Sequence, residues 1–268
     1  MVDLNISQNR AQSRQYFGRR NWLVILCWLI LFLYLSYVFS LFELTTERFL
    51  IGLDNGAKFL GRMIPPNFSR HELLIEGLVE SLQIGIIATA AGVLLSLPLG
   101  FLAARNLMPI WVTWFARGII VLCRSFHPVI VAILFVKAVG FGALAGVLAL
   151  IVASIGFIAK LFAEAVEEIS LKQIEAIRST GASFSNIILI GVLPQVMGRF
   201  IGFASYQLDS NLRNSTMVGL VGAGGIGGTL FAAFQRFDYD FVAAILLSIV
   251  AVIMVGEGIN NVVRRIYR

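Results

Sequence analysis

The sequence predicts an all-α membrane protein with about six transmembrane helices, and three observations carry the prediction. Of the 268 residues, 58% are hydrophobic and only 13% charged, with a mean hydropathy of +0.86. A soluble domain is about half apolar and about a quarter charged. Several uncharged runs reach about 20 residues, which at about 1.5 Å per residue carries a helix across the roughly 30 Å hydrocarbon layer. Basic residues gather at the ends of these runs. With both termini inside, the cytoplasmic segments hold twice as many as the outer ones, the asymmetry that sets membrane orientation. The net charge of +6 does not point to nucleic acid, because no dense basic run with interleaved aromatics occurs.

Residues 1–77 form a first section. The opening stretch, with Arg10, Arg14, Arg19 and Arg20, is expected to remain cytoplasmic, and the uncharged residues 22–42 make the first span. No small-residue cleavage site follows, so this span is an anchor and not a secretory signal. Residues 43–77 are mixed in charge, contain Pro65-Pro66 and are expected outside, with room for a short surface helix.

Residues 78–268 supply five more spans. The second, at 78–104, contains Gly92, Pro98 and Gly100, which bend a helix or let a neighbour approach closely. The third, at about 112–140, holds Arg117, Arg124, His127 and Lys137. Read as one straight helix, it places Arg124 near mid-bilayer with His127 on the same face. A charge at that depth costs at least about 2.5 kcal/mol on insertion scales and has to meet a partner or water. Gly140-Phe141-Gly142 is expected to form a tight outer turn, and 143–162 is a clean fourth span. The fifth, 195–221, carries Arg199, Asp209, Asn211, Arg213 and Asn214, and so is expected to face the interior. The sixth, 241–263, is followed by Arg264, Arg265 and Arg268, leaving both termini cytoplasmic. Cys27 and Cys123 lie inside apolar runs without metal or redox spacing, which suits packing.

Between the fourth and fifth spans lies a polar stretch more ordered than a spacer requires. Ser170 and Gln173 fit a capping box. Leu171, Ile174 and Ile177 then recur at helical spacing, with Lys172, Glu175 and Ser179 opposite. Gly181 can end that helix in the left-handed conformation, and Ser183 can cap a second helix carrying Phe184, Ile187 and Ile188. Two helices at a glycine elbow read as a docking element.

Glu175-Ala176, then Gly181, then Leu193-Pro194 resemble the EAA loop of the membrane-spanning subunits of bacterial ABC importers. The stretches GVLPQVMGRF and VGLVGAGGIGGTL resemble the phosphonate-type branch of the binding-protein-dependent, MetI-like permeases, and the resemblance runs from about Leu78 to the C-terminus. Two positions depart: Ile177 stands where the pattern usually has a second alanine, and Gly191 where it usually has isoleucine. The resemblance implies a type I importer permease fold with a cytoplasmic coupling-helix loop at about 165–194, in which Glu175, Ala176, Gly181, Leu193 and Pro194 couple to an ATPase. It further implies a homodimer in the bacterial inner membrane, a separate cytoplasmic ATP-binding subunit and a periplasmic or extracellular substrate-binding protein. The implied cargo is phosphonate, phosphite or phosphate.

The residues themselves argue against an enzyme. The P-loop pattern G-x-x-x-x-G-K-[ST] is missing, no metal-binding or nucleophile-and-base set occurs, and no cofactor is expected. Gly222 to Gly227 spells G-x-G-x-x-G, but no alternation of strands and helices surrounds it and a membrane span is expected to follow. A glycine turn with close helix contact is the better reading. Arg124, His127, Asp209, Asn211, Arg213 and Asn214 are candidate pathway residues, because cations in a watery cavity favour a small anion. A structural Arg124–Asp209 bridge is the competing expectation. A secondary transporter or channel for a small anion would explain these charges but not the docking element.

Overall fold

In the computed structural model, which describes residues 3–42 and 45–266, with side chains over 22–42 and 45–258, every element is a helix. The arginines expected near the termini, Arg10, Arg14, Arg19, Arg20, Arg264, Arg265 and Arg268, lie outside the described side chains. The chain divides into two units, residues 1–61 and 62–268.

In the first unit, α1 (Asp3–Leu41) contains the apolar stretch Trp22–Leu41, long enough to cross a membrane. Its large side chains are exposed, a surface suited to hydrocarbon. The helix expected after it is present as α2 (Thr46–Arg62), 17 residues long. Thr45 Oγ1 accepts from Arg48 N, Glu47 and Arg62 suit the opposite ends of the helix dipole, and Asp54 pairs with Lys58 one turn on.

The second unit begins its helices with α3 (His71–Ala103), so the boundary expected at residue 77 falls inside a helix. There follow α4 (Ile110–Ser125), α5 (Pro128–Val139), α6 (Ala143–Glu167), α7 (Leu171–Ser179) and α8 (Phe184–Asn186). A π-helical turn (Ile187–Val192) then leads into α9 (Leu193–Gly219), α10 (Ile226–Gln235) and α11 (Tyr239–Ile266). Among the described residues five helices are long and apolar enough to span, and six spans result if α4 and α5 make one between them.

Small residues let α3, α6 and α9 close on one another, as membrane helices require in the absence of a hydrophobic driving force. A Cβ at Gly92 would stand 2.4 Å from Ser154 Cβ, and one at Gly100 would stand 2.6 Å from the Phe162 ring. A tight turn forms at Gly140-Phe141-Gly142: Gly140 and Gly142 have φ of 93° and 129°, and Gly142 N donates to Gly222 O at 3.0 Å. Gly222, Gly224 and Gly225 all take positive φ, and Ser81 Oγ accepts from Ile226 N at 2.9 Å, seating the glycine run on α3.

Two expectations are corrected. The third span is not one straight helix, because α4 and α5 meet at 91°. Pro128 at the start of α5 lacks an N–H and forces the residue before it to be extended, and His127 has φ −65° and ψ 141°. Arg124 and His127 therefore do not share a helix face. The glycine run is followed not by a span but by α10, which at ten residues is too short to cross.

Candidate coupling segment and transport pathway

Where α6 ends, charged side chains tie the surrounding helices together. Glu167 accepts from Arg117 at 2.7 Å and from the Arg105 backbone N–H at 2.7 Å. Arg117 Nε also donates to Ala103 O at 3.0 Å, and Glu168 pairs with Arg199 of α9. The candidate coupling segment follows directly from this collar.

The local pattern that predicted α7 is largely realised. Ile174 is buried and Ile177 half-buried in an apolar cluster with Ile187, Val192 and Val196, while Lys172, Glu175, Ala176 and Ser179 face outward. Leu171, expected on the buried side, is 50% exposed. Ser170 and Ser183 occupy the N-cap positions of α7 and α8, but neither side chain makes a cap hydrogen bond, so the expected capping box is not formed. The far end of α7 is closed instead by hydroxyls, Ser179 Oγ donating to Ala176 O and Thr180 Oγ1 to Ile177 O. Gly181 has φ +76° with nothing within 4 Å of where a Cβ would be, so its backbone conformation and not crowding calls for glycine.

The second helix of the segment proves not to be separate. Residues Phe184–Gly219 run as one 36-residue helix, so the coupling segment leads without a break into the fifth span. In a regular α-helix the Pro194 ring would collide with the carbonyl four residues earlier. The π-helical turn precedes it, with Leu193 N–H reaching back five residues to Ile188 O, and this widening lets the helix continue. Leu193 is half-buried and Pro194 exposed on this continuation.

The candidate pathway residues fall into separate environments. Arg124 lies in the last turn of α4, and a Cβ at Gly156, near the midpoint of α6, would stand 2.7 Å from Arg124 Cγ. Among the described residues its guanidinium has no hydrogen bond or ion pair. The bridge to Asp209 is not formed, because Asp209 pairs with Arg213 one turn along its own helix, at 2.7 Å. Arg124 instead borders a cavity of about 390 Å³ between α4, α6 and the end of α3, whose charged lining is Arg117, Arg124, Lys160 and Glu164. Lys160 and Glu164 are 3.5 Å apart and Arg117 is held by Glu167, leaving Arg124 as the uncompensated cation of that lining.

His127 is exposed at the α4–α5 break, with Nδ1 accepting from Val129 N at 3.3 Å. Asn214 is half-buried, and its Nδ2 donates to Ser210 Oγ at 3.3 Å. Asn211, expected to line the pathway, is fully buried between helices and presents no surface to it. Its Nδ2 donates to Thr89 Oγ1 and Ser154 Oγ at 2.9 and 2.8 Å, and its Oδ1 accepts from Gln207 Nε2 at 3.0 Å. Gln207, Thr89 and Ser154 were not singled out from sequence; the available signal was Gly92, which makes room for Ser154. This closed network joins α3, α6 and α9 and leaves its buried polar groups satisfied.

Residues 96–268 match the family described as "Binding-protein-dependent transport system inner membrane component". The chain is 41% identical over 205 residues to the phosphate-import permease protein PhnE of Mycolicibacterium smegmatis, covering 76% of this chain but only 38% of that protein. It is 39% identical over 246 residues to the phosphite transport system permease protein PtxC of Stutzerimonas stutzeri, covering 91% and 86% respectively. In fold it matches a chain of the inward-facing MetNI methionine ABC transporter with a TM-score of 0.64 and 24% identity, over 75% of this chain and 99% of that one.

Proposed function

Because the chain belongs to the family of binding-protein-dependent transport system inner membrane components, we propose that it is the membrane-spanning permease of an ATP-driven importer for a phosphorus oxyanion: phosphonate, phosphite or phosphate. The observation that carries the coupling half of this reading is α7, an exposed helix with Glu175 outward that ends at a left-handed glycine and leads into the span bearing Asp209 and Arg213. Two copies enclose the pathway, with both termini cytoplasmic. A separate ATP-binding subunit engages α7, with Glu175, Ala176 and Gly181 shaping the contact and Leu193-Pro194 marking its entry into α9. A substrate-binding protein delivers the anion to the outer face. Closure of the ATP-binding subunits displaces the docked helices and exchanges inward for outward access.

The cargo is read from two supports. Relatives are named for phosphate, phosphite and phosphonate transport, and the cavity bordered by Arg117, Arg124 and Lys160 has a net positive charged lining. Arg124, without a counter-ion among the described residues, supplies potential to a passing oxyanion, while the paired Arg117 and Lys160 temper it so that the anion can leave. His127, Asp209, Arg213 and Asn214, which lie outside that cavity, are the further groups proposed to meet the anion on its way, and Asn211 holds the frame between α3, α6 and α9.

Reconstitution tests the reading. Proteoliposomes holding this chain, its ATP-binding subunit and its binding protein are expected to accumulate phosphite, phosphate or methylphosphonate only when ATP is supplied, and this chain alone is expected to hydrolyse none. Accumulation driven by an ion gradient without ATP would instead establish a secondary transporter.

A further inference from the structure

We propose that Ile177 and Gly191 form a size-matched key between α7 and the π-helical turn that opens the fifth span, so that a displacement of α7 is passed to α9 as one body. This rests on the reading of α7 as the helix that docks the ATP-binding subunit.

Gly191 is buried, and its φ is not positive, so what it contributes is space and not backbone freedom. That space has one occupant. A Cβ at Gly191 would stand 2.9 Å from Ile177 Cδ1, and apart from its chain neighbours and its own helix no other heavy atom comes within 4 Å. The terminal methyl of Ile177 thus fills the position that a side chain at Gly191 would take. The turn itself is held, since Gly191 O accepts from Gln195 Nε2 at 2.5 Å and Leu193 N–H reaches Ile188 O.

The covalent link between α7 and α8 is poorly suited to carry the motion. It runs through Gly181, left-handed and with open space around it, a joint that can swing. The rigid route is the side-chain contact, in which Ile174 supplies the burial and Ile177 the register. Ile177 and Gly191 are also the two positions at which this segment departs from the EAA pattern. The larger residue at one and the smaller at the other meet across a single contact.

A double-substitution cycle in the complete complex tests the key, read as transport per ATP hydrolysed at equal amounts of assembled complex. Ile177→Ala and Gly191→Ile are each expected to lower that ratio about five- to ten-fold, and the pair to return within about two-fold of the parent, because contacting residues are non-additive. A role in folding alone would change the amount assembled and not the ratio. Should Gly191→Ile prevent assembly, Gly191→Ala introduces only the Cβ that meets Cδ1, and Ile177→Val removes that methyl. Gly191→Ala is then expected to lower the ratio and Ile177→Val/Gly191→Ala to recover it. Additive losses in either pair, or unchanged ratios in the single variants, overturn the key. Glu175→Lys run in parallel separates the two failures. If it uncouples transport while the cycle is additive, only the key is lost; if it transports normally, the docking reading falls and takes the key with it.

Discussion

A Gly181→Val chain is expected to insert and assemble normally and yet fail to transport. The argument is confined to the backbone, because nothing stands within 4 Å of the position a Cβ would occupy and no packing is disturbed. At φ +76°, an L-residue costs about 1–2 kcal/mol, and more when the side chain is branched at Cβ. The chain relieves that strain by re-aiming the bend between α7 and α8, which moves Glu175 and Ala176 away from the surface they are proposed to meet. Gly181→Asn is the control: asparagine tolerates the left-handed region and is expected to retain most transport. Glu175→Lys attacks the same contact differently, reversing one exposed charge while leaving the bend intact. Both losses should appear as ATP hydrolysis that neither responds to the binding protein nor drives uptake. Normal transport by Gly181→Val would detach the elbow from coupling.

The second large effect is expected at Arg124. Replacement by glutamine should slow uptake of phosphite or phosphate at least about ten-fold, the equivalent of roughly 1.4 kcal/mol in the barrier, with normal insertion and normal stimulated ATP hydrolysis. The choice of residue follows from its surroundings. Arg213→Gln would leave Asp209 without its partner, and Arg117→Gln would leave Glu167 short of one, so loss of activity in either is confounded by an orphaned carboxylate. Arg124 has no such partner among the described residues, so removing its charge orphans no carboxylate. Arg124→Lys keeps the charge but not the planar fork and should recover part of the rate. Full-rate uptake by Arg124→Gln excludes the residue from the pathway.

What could be read from the sequence was what is local. The period that buries Ile174, the left-handed glycine at 181 and the paired glycines around Phe141 each depend on a few adjacent residues, and each is realised. The break between α4 and α5 was marked by Pro128, yet the length of the stretch 112–140 matched a single span and favoured a straight helix, and the shared face assigned to Arg124 and His127 disappeared with it. Asp209 had two possible partners. The one four residues away on the same helix won, because it needs no approach of a second element. Asn211 and Asn214 look alike in sequence, three positions apart on one polar stretch. One is sealed against Thr89 and Ser154 while the other stays half-buried, a difference decided by how closely α3 and α6 approach at Gly92. Spacing within α9 carries no information about that approach.

The most direct test is the side of the membrane on which Glu175 lies and what covers it. In a chain carrying Glu175→Cys, with Cys27 and Cys123 replaced by serine, a membrane-impermeant maleimide should label residue 175 in inside-out vesicles and not in right-side-out ones. Addition of the ATP-binding subunit should protect it. Labelling from the outer side, or labelling from the cytoplasmic side that the ATP-binding subunit leaves unchanged, would contradict a permease coupled through α7.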